Sequence, residues 1–368
     1  MRLYKAELFK LLSRKVFIIG FFSVLCFIML FFAMNVSEER TTIDGKLYTG
    51  YEAIQMNRKI TAELGGLLTD EKAKQIIDTY GFPQKVEEGY GGFRDENYLN
   101  GFVTTHLGNG YLYDWDDYVI STELIPISQT ELGEIQKING DGILLEYTTG
   151  WTVFFDIIQI GMVLGSILIL FTISVVFAEE KQCNMFPLLF TCEDGKEKDT
   201  AVKICASFTI ATVIYAVITL FMLILCGLVY GFDGLHSIIG LVFTETPNTL
   251  LKISMTSVAY YIIIKMIINY LALNCVCAIV LFVSAHYQSS FHAVIVSSII
   301  WGVPILIIML LDGIGSLLMC GTPLFLVMSE SLMDIYGVIH YPITVAMLIL
   351  VCCTVSGYRK YTRLQVEA

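Results

Sequence analysis

Long apolar runs alternate with polar segments along almost the whole chain. The runs cover residues 16–34, about 151–178, about 206–230, 254–285, 293–311 and about 338–356. A helix of about 20 apolar residues is long enough to cross roughly 30 Å of hydrocarbon. Only helices or closed barrels satisfy the backbone there. The pattern therefore predicts an all-α polytopic membrane protein with six transmembrane helices.

A shorter apolar stretch precedes the sixth run. Residues 317–328 are apolar, but Gly321-Thr322-Pro323 interrupts them, and Glu330 and Asp334 follow. The stretch is too short to cross a bilayer. We expect a re-entrant or interfacial segment near 312–337, on the outer side of the membrane.

The first fifteen residues have the pattern of an amphipathic helix. Their apolar side chains recur at helical spacing, on Tyr4, Leu8, Leu11 and Leu12. Their basic side chains are Arg2, Lys5, Lys10, Arg14 and Lys15. Such a segment lies along a membrane surface, and basic residues next to a span favour the cytoplasmic side. We expect a cytoplasmic N-terminus.

Residues 35–150 form the only long hydrophilic stretch, and they should lie outside the membrane. They carry nine Lys or Arg against twenty Asp or Glu, which matches the net charge of −11 of the whole chain. Thr69 before 70–80 is typical of a helix start, and Gly81 of a helix end. Residues 87–118 are rich in Gly, Tyr and Asp and predict loops with a hairpin. The stretch therefore predicts a mixed, mostly helical extracytoplasmic domain.

Composition and charge fit this topology. The chain is 55% hydrophobic and only 15% charged, with a mean hydropathy of +0.69, which excludes an ordinary soluble globular protein. The proposed inner segments hold most of the basic residues outside the acidic domain, whereas the short outer loops hold only Lys252. We expect a multi-pass protein of the bacterial cytoplasmic membrane with both termini in the cytoplasm.

The polar loop at 179–205 separates the second and third runs. Apolar residues lie at its centre between charged flanks: Met185, Phe186, Leu188, Leu189 and Phe190. A short helix with one apolar face at the membrane edge would suit contact with a soluble partner. It would equally suit a turn that rests on the lipid surface, and the sequence leaves both interpretations open.

This order of elements resembles the permease subunit of type-2 ABC exporters, which are ABCG-like and have the type V fold. The resemblance rests on a basic amphipathic elbow helix, one span, a large outer domain, a second span ending in Glu179-Glu180, and the apolar-centred loop. Phe186 to Phe190 resemble the Leu-rich coupling helix of these permeases. Lys196 lies at the position where these permeases commonly have Arg. Cys183-Asn184 replaces the usual Gly-Thr pair.

The resemblance implies a division of the chain into 1–34 (elbow helix and first span), 35–150 (acidic outer domain), 151–178 (second span), 179–205 (cytoplasmic coupling loop) and 206–368 (spans three to six). It also implies pairing with a second permease and docking onto an ABC ATPase subunit. The coupling residues would be Glu179, Glu180, Met185, Phe186, Leu188, Leu189 and Lys196.

No catalytic residue, metal site or cofactor of its own is expected for this chain. It has no G-x-x-x-x-G-K-[ST] motif, so a partner subunit would bind ATP and Mg²⁺ and carry out the hydrolysis. The exported substrate would be amphipathic, such as a peptide, a drug or a lipid. The lipid bilayer is the remaining expected partner. No nucleic-acid partner is expected.

Polar and small residues inside the runs suggest further roles. Asp156 and Lys265 are ionisable and lie within predicted spans, where charge is costly. We hypothesise that they approach each other or line a wet cavity, the alternative being that each reaches the outer interface. Gly161-x-x-x-Gly165 has the spacing of a helix-contact face.

Two other functions remain open from the sequence. One is a membrane sensor or scaffold that transports nothing and whose acidic outer domain detects a ligand. The other is an intramembrane protease of the CAAX-processing type, because Glu179-Glu180 and Phe282-x-x-x-His286 have suitable spacing. Asn184 occupies the Arg position of that motif, however, and no Asn follows His292.

Overall fold

A computed structural model describes residues 2–85, 93–109, 123–140, 142–191, 195–242, 256–328 and 340–363. The chain is mostly helical, which confirms the predicted fold class in its coarse form. Six helices are long and apolar enough to cross a membrane by length and composition: Lys15–Glu38, Thr149–Gln182, Glu197–Val229, Val258–His286, Ser290–Leu311 and Tyr341–Thr362. The predicted number of spans is therefore confirmed within the described residues.

The helices follow one another along the chain with few strands between them. In chain order they are α1 (Arg2–Leu12), α2 (Lys15–Glu38), α3 (Tyr51–Leu64), α4 (Asp70–Tyr80), α5 (Tyr98–Leu107), α6 (Glu131–Asn139), α7 (Thr149–Ile173), α8 (Val175–Gln182), α9 (Phe186–Phe190), α10 (Glu197–Val229), α11 (Val258–His286), α12 (Ser290–Met319), α13 (Pro323–Met328) and α14 (His340–Thr362). The strands are β1 (Arg40–Ile43), β2 (Lys46–Thr49), β3 (Gly66–Leu67), β4 (Gln84–Lys85), β5 (Phe93–Arg94) and β6 (Leu144–Leu145).

Internal contacts divide the chain into two compact units. We call the first the helical unit; it comprises Met1–Met29, Ile157–Met222 and Ile264–Ala368. The second, the mixed unit, comprises Leu30–Asp156 and Leu223–Ile263.

In the helical unit, the second candidate span is interrupted at Ser174, between α7 and α8. Ser284 of α11 binds the backbone at this break. Its hydroxyl accepts hydrogen bonds from the backbone N–H groups of Phe177 and Ala178 at 3.0 and 3.1 Å, and it donates to the carbonyl oxygen of Ser174 at 2.7 Å. Backbone groups freed by the break are thereby satisfied without water. The start of α8 is therefore fixed against α11.

The two glycines of the Gly161-x-x-x-Gly165 pattern lie in contacts between helices of the same unit. A Cβ atom at Gly161 would lie 2.9 Å from Ile218 and 3.0 Å from Ile28. A Cβ atom at Gly165 would lie 2.9 Å from the Ile218 side chain. The small residues therefore let α7 approach α2 and α10 closely within one chain.

The mixed unit has its own hydrophobic core. Helices α3 to α6 contribute buried side chains that include Ile60, Ile76, Leu99, Val103 and Ile135. Ile238 and Leu241, from the segment that follows α10, join the same core. Among the described residues, the unit also contains three antiparallel strand pairs: β1 with β2, β3 with β6, and β4 with β5.

Several element bounds differ from the sequence-based expectation. Residues 98–107, predicted as loop, form the helix α5. The helix of the third span begins at Glu197, inside the predicted coupling loop. The helix α12 continues to Met319, past the predicted end of the fifth run at Leu311. The break before α13 overlaps the predicted interruption at Gly321-Thr322-Pro323. Residues 329–339, the rest of the predicted re-entrant segment, lie outside the described residues.

A buried ionic cluster beside a short apolar helix

The carboxylate of Glu180, near the end of α8, is the centre of a polar cluster in the helical unit. Its Oε2 accepts hydrogen bonds from Lys203 Nζ at 2.8 Å and from the Tyr361 hydroxyl at 2.7 Å. Its Oε1 accepts from Lys10 Nζ at 3.3 Å. Glu180 therefore joins four helices, α1, α8, α10 and α14, through one side chain that is only 6% exposed.

Lys203 lies between two acidic side chains. It forms ion pairs with Glu180 and with Asp199, one helical turn earlier on α10. Lys203 is 1% exposed and Asp199 is 4% exposed. A buried charge is tolerated only when it is paired and hydrogen-bonded, so each of these groups depends on the others.

The basic segment at the N-terminus supplies two further cations. Lys10 is partly exposed and also approaches Glu7 at 3.7 Å. Burial raises the pKa of Glu7, while the nearby Lys10 opposes this shift. Arg14, between α1 and α2, forms an ion pair with Glu179. The consecutive acids Glu179 and Glu180 therefore bind α1, and Arg14 in the connection to α2, to the end of α8.

The last turn of α8 also contacts the ends of two other helices. Lys181 Nζ donates hydrogen bonds to the carbonyl oxygens of Ser284 and Ala285, at 2.9 and 2.8 Å. A cation at a helix C-terminus binds carbonyls that have no partner within the helix. Gln182 Oε1 accepts from the backbone N–H and the hydroxyl of Ser290, at the start of α12.

A tight turn leads from α8 to the short helix α9. Asn184 has a φ of 52°, in the left-handed region that Asn adopts more readily than most residues. The turn therefore gives Asn184 a conformational role between α8 and α9. Leu188 on α9 is 72% exposed, and Met185 just before α9 is also exposed.

Phe190 connects α9 to the ionic cluster. Its ring packs edge to face against Tyr361, with 5.7 Å between ring centroids, and Tyr361 in turn binds Glu180. Lys196 Nζ lies 5.7 Å from the centre of the Phe190 ring, in the range of a cation–π interaction. A displacement of α9 would therefore act directly on Tyr361.

The structure thus places most of the residues expected to couple to an ATPase in one region. Glu179, Glu180 and Lys196 have the contacts given above, and Leu189 is half-buried on α9. Phe186 begins α9, but its side chain lies outside the described part of the chain. Sequence reasoning missed the partners Lys203 and Tyr361, although Asp199 and Lys203 are spaced i, i+4, a signal for an ion pair on a helix.

The two candidate intramembrane charges lie in different units. Asp156 belongs to the mixed unit and is exposed. Lys265 belongs to the helical unit and is 4% exposed; its Nζ donates to the carbonyl oxygens of Leu326 and Val327 on α13 at 3.5 and 3.2 Å. The hypothesis that Asp156 and Lys265 approach each other stays a prediction.

The residues whose spacing resembles a protease motif have other interactions. Glu179 and Glu180 bind the cations described above, and His286 Nδ1 is hydrogen-bonded to the carbonyl oxygen of Phe282 at 2.8 Å. Across the ranges that the structure describes, no group of three or more His, Cys, Asp or Glu side chains is arranged to hold a metal ion.

No protein-family model, curated protein or solved structure matches the chain.

Proposed function

We propose that this chain is the membrane-spanning permease subunit of an ATP-driven exporter. Six candidate spans supply the transmembrane part. A separate ABC ATPase subunit binds ATP and Mg²⁺ and hydrolyses the nucleotide. A second permease, either identical or related, completes the transport path for an amphipathic substrate such as a peptide, drug or lipid.

The single observation that carries the proposal is the linkage between an exposed apolar helix and a buried ionic cluster. Leu188 is exposed on α9, and Phe190 of the same helix packs on Tyr361. Tyr361 binds Glu180, which also binds Lys10 of α1 and Lys203 of α10. A partner that contacts α9 would therefore act on four further helices of the helical unit, α1, α8, α10 and α14.

The chemistry of the cluster suits the transmission of movement. Ion pairs withdrawn from water are strong and geometrically specific, so the connected helices resist independent displacement. The apolar surface of α9 offers binding energy to a partner because contact removes it from water. The partner's nucleotide cycle would supply the work, and this chain would convert it into a rearrangement of its spans. Both termini and α9 would lie on the cytoplasmic side of a bacterial membrane.

Copurification of the full chain with a coexpressed ABC ATPase tests the proposal. The perturbation is Leu188→Glu, which places a charge on the exposed apolar surface of α9 and leaves the ionic cluster intact. The matched control is Glu197→Gln, because Glu197 is also exposed and begins α10 nearby. We expect the wild type and the control to retain the ATPase and the Leu188→Glu variant to lose it. Equal retention by all three would contradict the proposal.

A sensor that transports nothing is the second candidate, and a cavity in the mixed unit favours it. The cavity has a volume of about 580 Å³, within the range of small-molecule sites. A sensor would respond to a ligand in that cavity without ATP-dependent movement of a substrate. Transport into inverted vesicles that requires both ATP and the ATPase would exclude this alternative.

A further inference from the structure

The cavity in the mixed unit lies beside the point where α3 contacts the end of α10. Arg58 Nε of α3 donates a hydrogen bond to Asp233 Oδ2 at 2.7 Å. Gln55 Nε2 donates to the carbonyl oxygen of Val229, the last residue of α10, at 3.3 Å. Arg58, Asp233 and Gln55 all line the cavity. A molecule in the cavity would therefore contact groups that join α3 to the end of a candidate span.

Charges of both signs line this cavity. Arg58 and Lys59 supply cations, and Asp233 and Glu146 supply carboxylates. Arg58 binds Asp233 through Nε. Among the described residues, its Nη groups donate no hydrogen bond to a carboxylate. Glu146 Oε2 accepts from the Ser237 hydroxyl at 3.2 Å and retains capacity for a further donor.

We propose that this cavity binds a small zwitterionic molecule, either a free amino acid or a short peptide. A carboxylate suits the guanidinium of Arg58 and the ammonium of Lys59, since an arginine fork matches a carboxylate. An ammonium group suits the carboxylates of Glu146 and Asp233. A ligand with a single charge would meet like charge on one side of the cavity, whereas a zwitterion is complementary to both signs. The inference does not depend on the export proposal.

Thermal unfolding of the purified full-length protein in lipid nanodiscs provides the first test. The probes are the common L-amino acids, each added alone at millimolar concentration, and triglycine. We expect at least one probe to raise the unfolding midpoint in a saturable manner, because a ligand that binds only the folded state stabilises it. A shift with a free amino acid would identify an amino acid as the ligand. A shift with triglycine alone would identify a short peptide. No shift with any probe would overturn the proposal.

Blocked probes test the charge requirement. Acetylation of the amino group, or amidation of the carboxyl group, removes one charge from the best probe and leaves its backbone otherwise similar. We expect each blocked form to bind at least about tenfold more weakly, because one charge-assisted contact is lost. Equal binding of the blocked and free forms would rule out recognition of a zwitterion.

Two variants locate the site, and calorimetric titration measures their affinities. Glu146→Gln removes one of the two carboxylates that would face an ammonium group, so affinity should fall about tenfold because one charge-assisted contact is lost. Arg58→Gln should weaken binding by about tenfold to a hundredfold. The matched control is Lys74→Gln, at an exposed cation on α4 that does not line the cavity. Unchanged affinity in both cavity variants would place the ligand elsewhere.

Discussion

Replacement of Lys203 by Met tests whether the buried ionic cluster holds the helical unit together. Lys203 is the cation between Glu180 and Asp199 and is almost completely buried. Met has a similar length and apolar stem, so the substitution removes the charge with little change in packing. Two buried carboxylates are then left without their common partner.

The cost follows from the burial of the groups that remain. Removal of one member of a buried ion pair destabilises a protein by about 3–5 kcal/mol, because the other charge stays buried. Glu180 keeps the Tyr361 hydroxyl and Lys10, so we expect the lower end of this range, about 3 kcal/mol. A loss of about 3 kcal/mol raises the equilibrium constant for unfolding about 150-fold.

Unfolding of the purified chain by sodium dodecyl sulfate, followed by tryptophan fluorescence, measures this loss. Lys198→Met is the control, since Lys198 lies on the same helix and is exposed. Asp199→Asn in the Lys203→Met background should recover part of the stability, because it removes one of the two uncompensated charges. If Lys203→Met unfolds at the same detergent fraction as Lys198→Met, the cluster does not stabilise the unit and the reasoning is wrong.

Three further perturbations follow from other contacts. Gly161→Val forces a side chain against Ile218 on α10, and we expect a loss of about 1–3 kcal/mol in the same unfolding assay, with Gly302→Val, where no neighbour lies within 4 Å, as the control. Lys181→Met leaves the carbonyls at the end of α11 without their cation and should cost about 1–3 kcal/mol, with a smaller loss for Lys181→Arg. Burial lowers the pKa of His106 to about 4, below its unfolded value of 6.5. The neutral folded form is therefore favoured at neutral pH, and up to about 3 kcal/mol of stability is lost as the pH falls from 6.5 towards 4. Thermal unfolding between these pH values should show this loss in the wild type but not in His106→Gln, and an equal pH dependence in both would contradict the assignment.

The elements with strong local signals were predictable from the sequence. Thr69 was expected to begin a helix, and its side chain accepts a hydrogen bond from the backbone N–H of Lys72 at the start of α4. Gly81 ends that helix with a φ of 72°, which glycine adopts without strain. The six candidate spans follow from the length and hydropathy of their runs. These features depend on residues close together in sequence.

The helix α5 was missed because tertiary packing outweighs its weak local propensity. Gly101 and the β-branched residues Val103 and Thr104 disfavour a helix in isolation. Leu99 and Val103 are nevertheless fully buried in the core of the mixed unit, which stabilises the helix. One local signal was available. Asn97 forms a capping box with Asn100, a variant of the usual Ser or Thr with Glu.

The candidate site was only partly predictable for a different reason. Glu179 and Glu180 stood out because they follow a long apolar run. Their partners Lys10, Lys203 and Tyr361 come from three other helices, and no local pattern relates residues so far apart in sequence. The mixed unit presents the same difficulty, since the charges of its cavity are contributed by α3 and by segments far along the chain.

Site-specific photocrosslinking from α9 is the most direct test of the central claim that this helix receives an ATPase. A photoreactive amino acid replaces Leu188 in the full chain, which is coexpressed with an ABC ATPase; the control replaces Met309, an exposed residue of α12. The account predicts that Leu188 captures the nucleotide-hydrolysing subunit, that the yield changes with ATP, and that Met309 does not capture it. The account is contradicted if Leu188 captures no such subunit, or if a cysteine at that position is labelled by an impermeant reagent from outside the cell.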